Sequence, residues 1–285
     1  MNELLTNFYK GDIDILLLPE MAFTGYVFDD LNHIYPYLEE ENSGPTVTWA
    51  RRQALRLSAF VVVGYPQILK EQGGTEKHYN SACFVDRDGN LITTYQKSFL
   101  YDTDERWADE GPGFKCLEVD GLGKVGIGIC MDLNPYQYKD FFAFEFATFH
   151  RKEGTKIILC PMNWLDSNPS PPTSKQRKTP VNTQDDRSEA ENADSDEESN
   201  SVSESVAWSS LEYWKRRLAP LCINEEKVIF ASCNRFGTES GSTFCGTSCV
   251  MSFMSPRPVI LGYLKKREKA VLVVELDQDN KGVSQ

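Results

Sequence analysis

The chain has 285 residues, of which 40% are hydrophobic and 25% charged, and its formal net charge is −12. This negative balance lacks the basic footprint of a nucleic-acid-binding protein. The opening residues contain no apolar signal core, and no apolar run reaches the ~18 residues of a membrane span. We therefore expect a cytoplasmic protein with no membrane or nucleic-acid partner, large enough to form one sizeable core.

Cysteine and histidine spacing argues against a metal site. Eight cysteines occur without a C-x-x-C pair, and the chain has three histidines. Zinc-site spacing is therefore missing, and we expect no metal and no cofactor. Most of the cysteines lie in strand-like apolar text, such as KIILCPM, where a small buried hydrophobic residue is the simplest interpretation.

Short apolar runs alternate with helical spacing along the chain. The text predicts, in order, a strand in DIDILLLPE, a helix in TVTWARRQALRLSA, a strand in AFVVVGYPQ, a hairpin in NSACFVDRDGNLITTYQK, a strand in GKVGIGICMD, a helix in YKDFFAFEFATFHRKEG, a strand in TKIILCPMNW, a helix in LEYWKRRLAPLCINEEK, and strands in KVIFASCNR, GTSCVMSF and AVLVVEL. Such alternation predicts a layered α/β fold.

One segment differs from the rest. Residues 167–205 are rich in Ser, Pro, Asn, Asp and Glu, with few large apolar residues. From Asp166 through Val206, with Asp166 included, the chain has ten acidic and four basic residues. Their net charge of −6 is half of the net charge of the chain. Such text cannot bury enough surface to offset its ordering entropy. We predict one domain over 1–285 that contains a disordered acidic insertion.

Three strand ends carry a reactive or charged side chain. Glu20 follows LLLP, Lys97 follows the second strand of the predicted hairpin, and Cys130 ends GIGIC. Ligand sites of α/β sheets cluster at such ends. Each residue alone is better explained by a surface charge or a packed thiol.

Together, a carboxylate, an ammonium group and a thiol supply the groups that hydrolysis of an amide needs. A thiol must become a thiolate to attack a carbonyl. A carboxylate of raised pKa can take the proton and later deliver it to a leaving amine. A cation and a backbone N–H can stabilise the oxyanion.

These residues lie in blocks that resemble the nitrilase superfamily. PEMAFTGY matches the glutamate block of that family, YQKSFLYDTDE the lysine block and GKVGIGICMDL the cysteine block, while NRFGTESGSTFCGTS matches a later motif. The resemblance implies an αββα four-layer sandwich, with a Glu20–Lys97–Cys130 triad and a second, structural glutamate at Glu105. That glutamate would position Lys97 or the substrate. We also expect the first strand and helix of that fold to be missing, because only about a dozen residues precede the glutamate strand.

The text after the cysteine, CMDLNPYQYKDFFAFEFATF followed by CPMNWL, is similar to the fungal protein N-terminal amidases. This similarity implies conversion of N-terminal Asn or Gln of proteins to Asp or Glu with release of ammonia, through a cysteine thioester, as a step of the N-degron pathway. It also implies an oxyanion site at the N–H of Met131, support of the nucleophile turn by Asp132, and a substrate pocket that includes Asn163, Trp164 and Tyr26.

Three alternatives remain open at this point. A Cys–His hydrolase would use His33, His78 or His150, although none has a strand-end setting. A superfamily amidase could act on small free amides instead of proteins. A truncated homologue could be inactive. The preference between Asn and Gln and the oligomeric state are not readable from the sequence.

Overall fold

The fold was analysed in a computed structural model that describes residues 2–71, 73–167, 205–223 and 226–276. Nearly all of the predicted acidic insertion, 168–204, lies outside the described residues. The prediction of a single domain with this insertion therefore stays a prediction.

Thirteen strands and four α-helices make up the described part of the chain. The strands are β1 Ile15–Leu17, β2 Glu39–Glu40, β3 Phe60–Lys70, β4 Glu76–Val85, β5 Leu91–Gln96, β6 Lys115–Val119, β7 Gly123–Ile127, β8 Ile157–Met162, β9 Val228–Asn234, β10 Phe236–Glu239, β11 Ser242–Cys245, β12 Cys249–Phe253 and β13 Val259–Tyr263. The helices are α1 Leu31–Ile34, α2 Pro45–Leu57, α3 Glu145–Glu153 and α4 Trp208–Arg217.

The strands form two large sheets and one hairpin. The first sheet has the order β1-β3-β4-β5, with β2 added beside β3; the second has the order β13-β12-β9-β8-β7-β6. Strands β7, β8 and β9 run parallel, so their carboxyl ends meet at one edge of the second sheet. Strands β10 and β11 form a separate antiparallel hairpin.

The two sheets share one apolar core. Val62 and Phe84 of the first sheet belong to the same buried cluster as Ile127 and Phe230 of the second. Alternate residues of β3, such as Val61, belong instead to the buried cluster that contains the apolar face of α2. Side chains of α3 and α4 join the inter-sheet cluster. These contacts confirm the predicted α/β class with helices and two packed sheets.

A 3₁₀-helix at Asn2–Leu5 precedes β1, and within the described residues β1 pairs with β3 alone.

No helix in the described ranges combines the length and the apolarity that a membrane crossing requires.

Two local predictions are wrong. The segment 270–276 was expected to be a strand, but it forms no ladder in the structure. Its side chains at Leu272 and Val274 pack against Gly262 of β13 instead. The helix expected from residue 138 begins at Glu145, because the backbone before it is held in a loop by Arg217.

Gly64 allows β3 to approach the chain just after β1. Its N–H donates to Pro19 O at 3.1 Å, and its carbonyl accepts from Ala22 N at 3.0 Å. A Cβ atom at this position would lie 2.5 Å from Glu20 Cα and 2.7 Å from Met21 N. Both atoms belong to the backbone, which cannot move aside as a flexible side chain can.

We therefore expect Gly64→Ala to displace the turn that carries Glu20. The steric overlap should lower the free energy of unfolding by about 1–3 kcal/mol. Urea denaturation measures this loss. A variant with wild-type stability would show that the turn tolerates a methyl group.

Candidate active site

Glu20 lies three residues after the end of β1, on a turn fixed to β3. Leu18 N donates to Val62 O at 2.9 Å, and the two hydrogen bonds of Gly64 hold Pro19 and Ala22 on either side of the glutamate. Its neighbour Met21 has a left-handed backbone, with φ of 48°. The turn places the Glu20 carboxylate in the protein interior, where it is completely buried.

Lys97 is the cation of this site. It follows β5, and its Nζ donates to Glu20 Oε1 at 2.7 Å and to Asp104 Oδ2 at 2.6 Å. Asn80 of β4 donates through Nδ2 to the same two carboxylates, at 2.7 and 2.9 Å. All four side chains are buried. Lys97 thus lies between two acidic partners, and Asn80 spans the same pair.

The structure corrects the predicted role of Glu105 beside Lys97. The carboxylate that contacts Lys97 belongs to Asp104, whereas the Glu105 side chain is exposed. Both residues lie in a single 3₁₀ turn, Asp104–Arg106. Adjacent residues of such a turn point in different directions, so only one of the two acids can face the interior. A contact of Glu105 with substrate stays a prediction.

Cys130 lies where the second sheet ends. It lies three residues after the end of β7 and starts a 3₁₀-helix, Cys130–Leu133, with φ of 43°. Left-handed backbone is costly for a residue with a side chain, and such strain is concentrated at functional sites. The turn also places the backbone N–H of Met131 next to the Cys130 thiol.

Asp132 connects the cysteine turn to the lysine strand. Its Oδ1 accepts from Ser98 N at 3.1 Å and from Phe99 N at 2.8 Å. Its Oδ2 accepts from Ile129 N and from the Tyr95 hydroxyl, both at 2.8 Å. One buried carboxylate therefore fixes the residues that follow Lys97 and the residue that precedes Cys130.

The charges of the site act on one another. Burial and the charge of Glu20 raise the pKa of Cys130, while Lys97 and the backbone N–H of Asn163 oppose this rise. Burial also raises the pKa of Glu20, against the attraction of Lys97. For Lys97 burial disfavours the charge, but Asp104 and Glu20 outweigh it and raise its pKa. These shifts favour the neutral form of the Cys130 thiol and the charged form of Lys97.

Several buried side-chain atoms have no hydrogen-bond partner among the described residues, and in the site they include Asn80 Oδ1 and atoms of two further groups. One is Glu20 Oε2; the other is the side-chain amide of Asn163, at both Nδ2 and Oδ1. Asn163 directly follows β8 and is only 2% exposed. Buried polar groups are rarely left unsatisfied in proteins, and an exception calls for an explanation such as a bound water, a bound ion or a catalytic role.

The other predicted pocket residues are Tyr26 and Trp164. Lys97 Nζ lies 5.9 Å from the centre of the Tyr26 ring, and the Tyr26 hydroxyl is 3.4 Å from Asp104 Oδ2. Trp164 is partly buried and packs against Tyr213 and Trp214, at ring distances of 5.7 and 5.6 Å. Tyr26 is thus placed against the buried charges, while the contacts of Trp164 are those of a packed ring.

The later motif N-R-x-G-x-E supports the turn after Glu20. Glu239 Oε1 accepts from the backbone N–H groups of Tyr26 and Val27, at 2.8 and 2.9 Å. Arg235 pairs with Glu239 and donates to Met21 O at 2.9 Å. The hairpin β10–β11 therefore holds the chain between Glu20 and Tyr26 from outside the two sheets.

The three histidines lie in other contacts. His150 bonds through Nδ1 to Thr155, and burial lowers its pKa to about 3. His78 lies beside Tyr35, and His33 is paired with Asp29 at the surface. These positions do not support a Cys–His hydrolase. Within the described ranges, no cluster of side chains could hold a metal ion.

Asp104 and Glu105 provide a matched pair for a test. Asp104→Asn should lower the free energy of unfolding by about 3 kcal/mol, because it breaks a fully buried ion pair. Glu105→Gln, at an exposed position, should change it by no more than ~0.5 kcal/mol. Urea denaturation of both variants measures the difference. Equal losses would contradict the assignment of Asp104 as the partner of Lys97.

Comparisons with known proteins agree with this geometry. The model of the carbon–nitrogen hydrolase family matches residues 1–137. The chain is 31% identical over 270 residues to a protein N-terminal amidase of Schizosaccharomyces pombe, which covers 93% of this chain and 88% of that protein. It is 39% identical over 173 residues to a protein N-terminal amidase of Saccharomyces cerevisiae, which covers 54% of this chain and 37% of that protein.

A crystal structure of an N-terminal amidase with an Asn-Glu-Ala peptide superposes with a TM-score of 0.74 at 22% identity, covering 93% of this chain and 89% of that one. At this identity the likeness shows the fold, which is that of the nitrilase superfamily. The sequence similarity to the Schizosaccharomyces pombe protein extends along both chains. The chain therefore belongs to the carbon–nitrogen hydrolase family.

Proposed function

We propose that this protein is an amidase that converts an N-terminal Asn or Gln of a polypeptide to Asp or Glu and releases ammonia. The observation that carries the proposal is the fully buried Lys97–Glu20 contact of 2.7 Å, whose charges both act on the Cys130 thiol. The substrate class is supported by two relatives named protein N-terminal amidase and by the fold likeness to N-terminal amidases crystallised with Asn- and Gln-initiated peptides.

In the first step, Cys130 Sγ attacks the carbonyl carbon of the side-chain amide. Glu20 takes the thiol proton, for which Oε2 is available because it has no partner among the described residues. Its raised pKa suits a group that must accept a proton and then return it. Burial makes a free thiolate unfavourable, so proton transfer and attack are expected to be coupled.

The oxyanion that forms needs donors that are already in place. An ammonium group has three N–H bonds, and Lys97 uses two of them for Glu20 and Asp104. The third is available for the oxyanion, together with the N–H of Met131. Because the two carboxylates fix the position of Nζ, this donor needs little reorganisation during the reaction.

The intermediate then collapses. Glu20 returns the proton to the amide nitrogen, the C–N bond breaks, and ammonia leaves a thioester on Cys130. Water attacks the thioester while Glu20 accepts its proton. The C–S bond then breaks, the carboxylic acid leaves, and the proton returns to the thiol. Every proton is handled by one carboxylate, in accordance with the single unpartnered oxygen of Glu20.

The α-ammonium group of the substrate would enter a negatively charged site. Glu20, Asp104 and Asp132 are buried together with a single cation, Lys97, among the described site residues. A substrate that brings a positive charge reduces this imbalance, whereas a neutral amide does not. We assign Asn163 Oδ1 as an acceptor for the substrate, with Tyr26 as a wall of the pocket.

The decisive test is mass spectrometry of an Asn-initiated peptide after incubation with the protein. The wild type should produce the mass increase that accompanies exchange of NH₂ for OH, with one equivalent of ammonia. Cys130→Ala should lose at least about 10⁴-fold in rate, because the nucleophile is gone. Cys83→Ala, which removes another buried thiol, is the matched control and should retain turnover.

Two further substrates distinguish the alternatives. Free glutamine tests for a small-amide hydrolase, and an Nα-acetylated Asn peptide tests the need for the α-ammonium group. Equal rates on all three substrates would contradict selection of a protein N-terminus. Absence of turnover on every substrate would support an inactive homologue.

The pH dependence should have an acid limb above the ordinary glutamate pKa of 4.5, because burial raises the pKa of Glu20. Activity falls as pH drops through this raised pKa, since the base becomes protonated. Asp132, whose pKa burial raises to about 6, contributes to the same limb. Measurement of kcat/KM between pH 4 and 9 tests this expectation; a limb centred at or below 4.5 would contradict it.

A further inference from the structure

The loop 134–144, between the cysteine turn and α3, exposes three aromatic side chains close together. Tyr138 is 43% exposed, Phe141 55% and Phe142 89%. Single exposed hydrophobic residues are ordinary in soluble proteins, but a contiguous apolar patch usually marks an interaction site. Three such rings within five residues therefore require an explanation.

The loop is not loosely attached. Arg217, which ends α4 and is buried, donates from Nε to Leu133 O at 2.9 Å, from Nη1 to Phe141 O at 2.8 Å and from Nη2 to Ala143 O at 2.6 Å. Its guanidinium also lies 4.8 Å from the centre of the Phe144 ring. The backbone is therefore fixed, while the aromatic rings face solvent. Such preorganisation reduces the entropic cost of binding.

The loop adjoins the candidate active site. Asn134 follows the cysteine turn directly, and its Oδ1 accepts from the Tyr213 hydroxyl at 2.6 Å. Tyr136 of the same loop packs against Phe99, two residues after Lys97, at a ring distance of 5.1 Å. Gln137 and Tyr138 both have left-handed backbone, with φ of 51° and 56°. The chain thus adopts an unfavourable backbone conformation at Tyr138, eight residues after Cys130.

We propose that loop 134–144 binds the residues that follow the first residue of a polypeptide substrate. This inference rests on the proposed function. Cys130 is buried, so the amide side chain must enter while the rest of the substrate stays at the surface, where the exposed rings of Tyr138, Phe141 and Phe142 can contact it. Rigid aromatic rings favour apolar side chains at the second and third substrate positions.

A second copy of the chain fits this surface less well. A stable interface buries ~800 Å² on each partner, which is well beyond what three side chains supply. A short extended peptide needs only a few such contacts, because its first residue is already held in the site. The surface therefore matches a polypeptide segment that is anchored at its N-terminus.

The test compares two tetrapeptide substrates, Asn-Gly-Gly-Gly and Asn-Leu-Phe-Gly. For the wild type, kcat/KM should be about tenfold higher for Asn-Leu-Phe-Gly than for Asn-Gly-Gly-Gly, mainly through KM. In Phe141→Ser/Phe142→Ser this ratio should approach one. Tyr9→Ser, which removes another exposed ring, is the control and should preserve the ratio.

A measurement of peptide binding tests the same surface without depending on turnover. Asn-Leu-Phe-Gly is titrated into Cys130→Ala with and without the two phenylalanine substitutions, and Kd should rise about tenfold when they are present. If the wild type releases no ammonia from any peptide, the proposed function fails, but the titration still tests the surface. Equal Kd values overturn the proposal. A loss of self-association in sedimentation, without a change in Kd, also overturns it and identifies a contact between copies.

Discussion

The contact on which this structure depends is the buried ammonium of Lys97 between Glu20 and Asp104. Removing such a charge from water is costly, and it is tolerated because two carboxylates receive it and Asn80 spans both of them. The partners come from different parts of the first sheet and its connections, so the contact also joins them. A single arrangement thus fixes the side chains of Glu20 and Lys97 and the turn that carries each.

The Cys130 thiol comes from the other sheet, and its placement depends on packing rather than on an ion pair. Cys130 follows β7, whereas Lys97 follows β5, and the shared apolar core determines how far apart these strand ends lie. Asp132 then connects the two ends through backbone N–H groups from both sides. Close packing of the core therefore determines the position of the Cys130 thiol relative to the Glu20 carboxylate.

Much of this arrangement could be predicted from sequence because it lies in contiguous blocks. Strand ends at Glu20, Lys97 and Cys130 were readable from apolar runs and family motifs, and the α/β class was confirmed. The choice between Asp104 and Glu105 was not readable, since it depends on which residue of one turn faces inward. The start of α3 at Glu145 could not be predicted either. It depends on hydrogen bonds from Arg217, which lies 72 residues after Glu145 in the chain. Local propensity cannot anticipate such tertiary contacts.

The hydrogen bonds of Arg217 have a consequence for how this fold can change. They are directed to carbonyl oxygens, which every residue type supplies, and none of them involves an outward-facing ring. The course of the loop is thus independent of the side chains it displays. Substitutions at those outer positions can accumulate without disturbing the buried chemistry, so that lineages sharing one reaction can diverge in the polypeptides they accept.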